Sequence, residues 1–271
     1  MPCRGKLLQA GLAFLAAATF AVIALAADAR QPATANSPVV AAASDLQFAI
    51  EEIAEAFSRE TGHRVRLSFG SSGNFARQLR QGAPFELYLS ADEDYVLDLA
   101  RDGFTRDEGA LYAIGRIVLM TPHGSTLEPD GSLETLATAL RQGRISRFAI
   151  ANPEHAPYGK RAQEALQHKG LWEAVEPRLV LGENVSQAAQ FAASGNAQGG
   201  IIAYSLALAP RVAALGNFEL IPAGWHSPLR QRMVLLKDAG PVAESFYRYL
   251  QQPAARQILE RYGFVLPGDP E

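Results

Sequence analysis

Short continuous apolar runs alternate along this chain with longer stretches in which apolar residues return every third or fourth position. Residues 39–43 are wholly apolar and read as a buried strand. In 45–61, Leu46, Ile50, Ile53 and Phe57 fall on one helical face. Ser44 followed by Gln47 reads as a capping box at its start, and Gly62 as its stop. Val65, Leu67 and Phe69 alternate as a strand. Gly70 to Gly73 then reads as a tight turn into a short helix over 74–81, broken at Gly82-Ala83-Pro84. A strand over 85–89 and a helix over 93–101 follow. The second half continues with strands at 117–120, 148–151 and 179–181 and helices at 133–141, 160–168 and 187–193. Gly199-Gly200 precedes the apolar run 201–208, residues 233–236 read as the last strand, and helices at 243–250 and 253–262 close the chain. Strand–helix alternation of this kind predicts an α/β fold with largely parallel sheets, and leaves open whether there is one sheet or two.

The first residues do not share the pattern. Arg4 and Lys6 precede an almost wholly apolar or small stretch from Leu7 to Ala27, which ends in Ala24-Leu25-Ala26 and Ala27-Asp28-Ala29, two small-x-small cleavage sites. A basic start, an apolar middle and a small-residue exit predict a cleaved secretory signal peptide over residues 1–26. A flexible lead-in over 27–36 follows. The only cysteine, Cys3, precedes the apolar run, so the exported chain is expected to hold no disulfide. Cleavage also removes Arg4 and Lys6 from 25 basic residues and nothing from 28 acidic ones, taking the formal charge from −3 to −5. An acidic chain without a basic stripe excludes nucleic acid as a partner class. About 240 remaining residues suffice for two α/β domains or one large one.

Candidate chemistry lies where a strand ends, small or hydroxyl residues follow and a helix begins. Ala43-Ser44-Asp45, Gly70-Ser71-Ser72-Gly73 and Pro157-Tyr158-Gly159 share this layout. A helix start exposes unpaired N–H groups and about half a positive charge, and small residues let an anion approach them. Each loop alone is better read as a cap or a turn. The histidines at 63, 123, 155, 168 and 226 show no metal-ligand spacing, and neither a nucleophile elbow nor a phosphate-binding G-x-x-x-x-G-K-[ST] loop occurs.

Taken in order, these blocks resemble the periplasmic molybdate-binding proteins. The resemblance runs through Ala41-Ala42-Ala43-Ser44, Phe69 to Gln78, Gln81 to Pro84, Leu89-Ser90-Ala91-Asp92 and Pro153 to Gly159. It continues in Asn184-Val185, Gly200-Ile201-Ile202 and Arg261-Tyr262-Gly263-Phe264, and so covers essentially the whole exported chain. It implies a two-lobed type II periplasmic-binding-protein fold with a ligand cleft between hinged lobes. The first lobe would span 37–113, joined or not by 229–271, and the second 114–228. The implied activity is non-catalytic: capture of molybdate or tungstate through neutral donors and delivery to the membrane permease of an ABC transporter with its separate ATPase. No cofactor and no resident metal are implied, and the chain is expected to be a periplasmic monomer. Carried over by position, the ligand-binding residues would be Ser44, Asp45, Ser72, Tyr158 and Val185. Ser44 and Ser72 would give hydroxyl and backbone donors, Tyr158 and Val185 backbone N–H groups. A site made only of donors would also reject hydrogen phosphate, whose proton would find no acceptor. Ser72, read as a turn residue, is expected to matter to the anion and hardly to the fold.

Two positions depart from the family pattern. Some members carry a tyrosine whose hydroxyl touches the anion where Ala203 stands here. Tyr204, one step on, reads as a half-buried tyrosine of a strand, facing the other way. Asp45 follows Ser44 where a donor or an apolar residue is usual, and its carboxylate is expected to point away from a dianion while its N–H faces it. Two other readings stay open at this point. One is a receptor for another ligand in the same fold, sulfate or ferric iron, the latter using Tyr158, Tyr204, Asp45 and Glu154. The other is a hydrolase using Ser72 with His155.

Overall fold

The computed structural model describes residues 37–268. The expected signal peptide and lead-in lie outside the described residues. Two five-stranded sheets organise the rest. The first contains β1 (Val39–Ala43), β2 (Arg66–Gly70), β3 (Leu87–Ser90), β4 (Ala110–Gly115) and β10 (Leu229–Leu235), in the order β2-β1-β3-β10-β4. The second contains β5 (Ile117–Pro122), β6 (Phe148–Ala151), β7 (Leu179–Gly182), β8 (Gly199–Ala203) and β9 (Gly216–Leu220), in the order β7-β6-β8-β5-β9. Neither sheet is largely parallel. β2, β1 and β3 run together, as do β7, β6 and β8, but β10 and β5 are antiparallel to both of their neighbours. These are the two strands reached directly from the other sheet, without the helical crossover that forces parallel pairing. β4 continues to Gly115, so the chain first changes sheets at Arg116, and it returns through residues 221–228.

Helices cover both faces of the first sheet, which is why its central strands are continuously apolar. Val40, Ala42, Leu87 and Leu89 share a core with Ile50, Ile53 and Phe57 of α1 (Gln47–Thr61) and, further along the chain, with Phe246 and Leu259. Ala41, Tyr88 and Val234 face the other way, onto Phe75 and Leu79 of α2 (Ser72–Arg80) and Val96 and Leu99 of α3 (Glu93–Arg101). The second sheet is wrapped by α4 (Glu134–Arg141), α5 (Pro157–His168), α6 (Trp172–Val175), α7 (Val185–Ala193), α8 (Tyr204–Leu208) and α9 (Pro210–Ala213). The last two helices, α10 (Pro241–Tyr249) and α11 (Pro253–Arg261), pack on α1 and carry Phe246 and Leu259. Among the described residues no helix is long and apolar enough to cross a membrane.

Several local expectations are corrected. Residues 44–46 form a single 3-10 turn ahead of α1, and Ser44 makes no side-chain cap. Gly62 does end α1, in the left-handed region at φ 73°. Gly70 to Gly73 is no tight turn: β2 runs through Gly70, Ser71 is extended, and α2 begins at Ser72. The apolar run 201–208 is split, with β8 ending at Ala203 and Tyr204 opening α8, where its ring packs edge-on to Phe218. Tyr204 is therefore a helix-start residue and not a strand tyrosine.

Candidate functional site

β1 lies between two parallel neighbours reached in opposite directions, and β6 has the same position in the second sheet. In open α/β sheets, ligands sit outside the carboxyl ends of strands at such switch points. Ala43 pairs with Gly70 in register, so the segments leaving β1 and β2 emerge side by side. From β1 comes the turn of Ser44, and from β2 the first residue of α2, Ser72. Facing them, α5 starts at Pro157-Tyr158 and α7 at Val185, behind an Asn184 whose side chain accepts from Gln187 N–H. Four helical starts, two from each lobe, thus converge on one small cavity of about 10 Å³. Ser44, Asp45, Ser72, Tyr158 and Val185 all line it, and each is at most 4 % exposed. No Lys, Arg or His is among the lining residues. A wider surface groove between α1, α7 and α9, with Phe48, Ala189 and Arg211, has no comparable set of helix starts.

The two serines are oriented by the backbone. Ser72 Oγ accepts the N–H of Ala91 at 3.0 Å, and Ser44 Oγ accepts that of Ser186 at 3.3 Å. Neither hydroxyl proton meets a protein acceptor among the described residues, so each is free to be donated into the cavity. Tyr88 Oη donates to Ser72 O at 2.8 Å and fixes the start of α2 from below.

Asp45 sits in the seam between the lobes. Its Oδ2 accepts from Gln231 Nε2 at 2.7 Å and from Tyr158 Oη at 3.1 Å, while Ser205 Oγ donates to its carbonyl at 2.8 Å. Its Oδ1 is buried without a hydrogen-bond partner. Burial raises the carboxyl to about 6, against the lowering pull of Gln231, Tyr158 and the nearby N–H groups of Asp45 and Leu46. One oxygen is held at the lobe contact and the other is buried without a hydrogen-bond partner, on a residue that lines the cavity. Tyr158 also does more than lend its backbone, because its hydroxyl crosses to Asp45. Gly115 makes that possible, since a Cβ there would collide with Tyr158 Oη.

Two participants escaped the sequence reading. Gln231, fully buried, links Asp45 and Tyr158 and accepts from Tyr112 Oη at 2.7 Å through its Oε1. Ser186 Oγ bridges the lobes, donating to Ser44 O at 2.9 Å and lying 3.0 Å from Gln47 Oε1. The Gln231 signal was present: it keeps the inward phase of Leu229 and Met233 on β10, and a polar residue in that phase marks a buried contact.

Further contacts hold the lobes together around the cavity. Arg161 of α5 pairs with Asp92 at 2.9 Å, both nearly buried. Gly73 N–H donates to His155 O at 3.0 Å, and His155 Nδ1 lies 2.9 Å from Ser71 Oγ. His155 thus pairs with Ser71 and not with the expected Ser72, and its Nε2 lies 3.6 Å from Glu183. The residues a ferric site would need are apart: Asp45 meets Tyr158, but Glu154 is exposed and Tyr204 packs on Phe218. Among the described residues no group of three His, Cys, Asp or Glu could hold a metal ion.

Comparison with known proteins bears on the family and the fold. Residues 38–265 match the family described as bacterial extracellular solute-binding protein. The molybdate-binding protein ModA of Rhodobacter capsulatus is 35% identical over 237 residues, 86% of this chain and 90% of that protein. The same-named protein of Azotobacter vinelandii is 35% identical over 231 residues, 84% of this chain and 89% of its own. The solved structure of the Azotobacter vinelandii periplasmic molybdate-binding protein superposes with a TM-score of 0.77 at 31% identity, covering 86% of this chain and 100% of that one. With sequence and fold in agreement, this chain belongs to the bacterial extracellular solute-binding proteins.

Proposed function

We propose that this protein is the periplasmic receptor of an ABC transporter and that it captures a tetrahedral oxyanion, molybdate or tungstate, between its lobes. The observation that carries the reading is the convergence of four helical starts and two undonated serine protons on one cavity without a basic side chain. Helix starts supply partial positive charge and fixed N–H donors, so a dianion can be held without a full counter-charge. The cavity of about 10 Å³ is far below the roughly 300 Å³ at which pockets for organic ligands begin, which favours a small ion over an organic ligand. Charge-assisted hydrogen bonds in a water-poor cleft supply the affinity. That the relatives in Rhodobacter and Azotobacter are named for molybdate supports the choice among oxyanions. Export by cleavage of residues 1–26, action as a monomer and hand-over to a permease with its own ATPase complete the proposal.

Native mass spectrometry of the purified protein with molybdate, tungstate, sulfate, phosphate and ferric citrate tests it. One molybdate or tungstate per chain, retained in preference to sulfate, is the expected outcome. Selective retention of ferric iron, or of phosphate as strongly as molybdate, would overturn it.

A further inference from the structure

Asp45 is an anomaly in a cavity for a dianion, and the arrangement around it says how the two coexist. Its Oδ2 is occupied by two donors, Gln231 Nε2 and Tyr158 Oη, while Oδ1 is buried with no partner on a residue that lines the cavity. An ionised carboxylate oxygen left bare on a cavity-lining residue would repel a bound anion. The same oxygen carrying a proton becomes a hydroxyl donor, and the free position is where a donor would find an acceptor only once the anion arrives. We propose that Asp45 takes up a proton when the oxyanion binds and donates it through Oδ1 to an anion oxygen, so that capture is coupled to protonation and release is favoured by its loss. The step deepens the oxyanion reading and rests on it. A solvent proton forms the Oδ1–H bond, no other covalent bond changes, and the complex gains one proton with the anion.

The surroundings leave Asp45 as the group that titrates. Tyr158 on α5 and Tyr112 on β4 are its titratable neighbours, and both phenols are held well above their ordinary value, by burial first and the Asp45 charge second. They stay protonated throughout the neutral range. Of the elements packed on the turn, α7 brings Val185 and Ser186, α8 brings Ser205 and α1 brings Gln47, none of them charged. Burial already moves the carboxyl of Asp45 toward neutrality, and the charge of a bound dianion moves it further in the same direction. The proton also settles selectivity. A protonated Asp45 makes the cavity all donor, whereas an ionised Asp45 would offer an acceptor to the proton of hydrogen phosphate.

Calorimetric titrations of molybdate into wild type and Asp45→Asn between about pH 6 and 8.5, in buffers of different ionisation enthalpy, test the coupling. Asn keeps an acceptor for Gln231 and Tyr158 and offers a permanent N–H where the proposal puts the acquired O–H. Wild-type affinity should fall about tenfold per pH unit above the free carboxyl's midpoint, with uptake approaching one proton per anion. Asp45→Asn should be flat with pH, bind at least as tightly at pH 8, and take up no proton. Wild-type binding that is independent of pH and free of proton uptake overturns the proposal, and that measurement needs no variant. So does phosphate binding at pH 8 that is lost in Asp45→Asn, which would make Asp45 an acceptor. Failure of both proteins to bind molybdate or tungstate at any pH overturns the oxyanion reading itself, and the coupling with it.

Discussion

Ser72 has two tasks, and only one of them was visible in its motif. Its hydroxyl proton is available to the cavity, while its oxygen accepts the buried N–H of Ala91. Ser72→Ala should therefore cost about 1.5–3 kcal/mol of anion binding, roughly a 10- to 150-fold weaker Kd by calorimetry. It should also lower stability in urea unfolding by about 1–3 kcal/mol, because Ala91 N–H loses its partner. The expectation that the fold would hardly notice overlooks this second bond. Asp45 carries its own pH signature in the free protein. Its folded value of about 6 lies above the ordinary 3.8, so the folded state binds the proton more tightly. The stability associated with this group is fully present below about 3.8 and is lost as pH rises through about 6. The cost at pH 8 is roughly 3 kcal/mol, and Asp45→Asn should recover much of it there and little near pH 4. Equal urea midpoints for the two proteins at pH 8 would contradict that assignment. The positions of Ser44, Ser72 and Tyr158 were legible as loops of small or hydroxyl residues between strand and helix, whereas Val185 came only from the family resemblance. The Asp45–Gln231–Tyr158 network was not, since its members come from three distant segments and meet only when β10 returns to the first sheet.

At the scale of elements, the α2 start is the part most sensitive to shape. Gly73 N–H reaches His155 O, and a Cβ on Gly73 would lie 2.8 Å from that oxygen and 2.9 Å from Tyr95 Oη. Gly73→Ala should hold the lobes apart at this point, weakening molybdate binding by about tenfold or more, ~1.4 kcal/mol, while the helix itself tolerates Ala better than Gly. Tight binding with an unchanged Kd would show that α2 and the His155 loop need not touch. Helices α1, α2, α3, α5 and α7 were readable from apolar spacing, within a few residues at their ends. β4 and β9 were missed. β4 carries Tyr112 and ends in Gly115, and β9 is a mostly exposed edge, so neither shows the run of branched apolar residues that marks a central strand. Their absence from the pattern also hid the antiparallel character of β5 and β10. The division of residues 201–208 into strand and helix was unreadable for another reason, because both halves are buried and apolar and periodicity cannot separate them.

Over the whole molecule, the chain changes sheets at Arg116 and again through 221–228, and every residue of the site lies along the seam these passages create. The lobes meet through Arg161 and Asp92, Ser186 and Ser44, Tyr158 and Asp45, around the same cavity that the helical starts line. Ligand should consequently stabilise the fold by mass action, about 2.7 kcal/mol at a hundredfold excess over Kd. Isothermal titration of molybdate into the purified protein at pH 6, with sulfate and phosphate as parallel titrants, examines the central claim most directly. The predicted result is one saturable molybdate site per chain, abolished by prior saturation with tungstate and far weaker for sulfate and phosphate. A protein that gives no molybdate or tungstate isotherm, yet binds phosphate or ferric iron at one site, would contradict it.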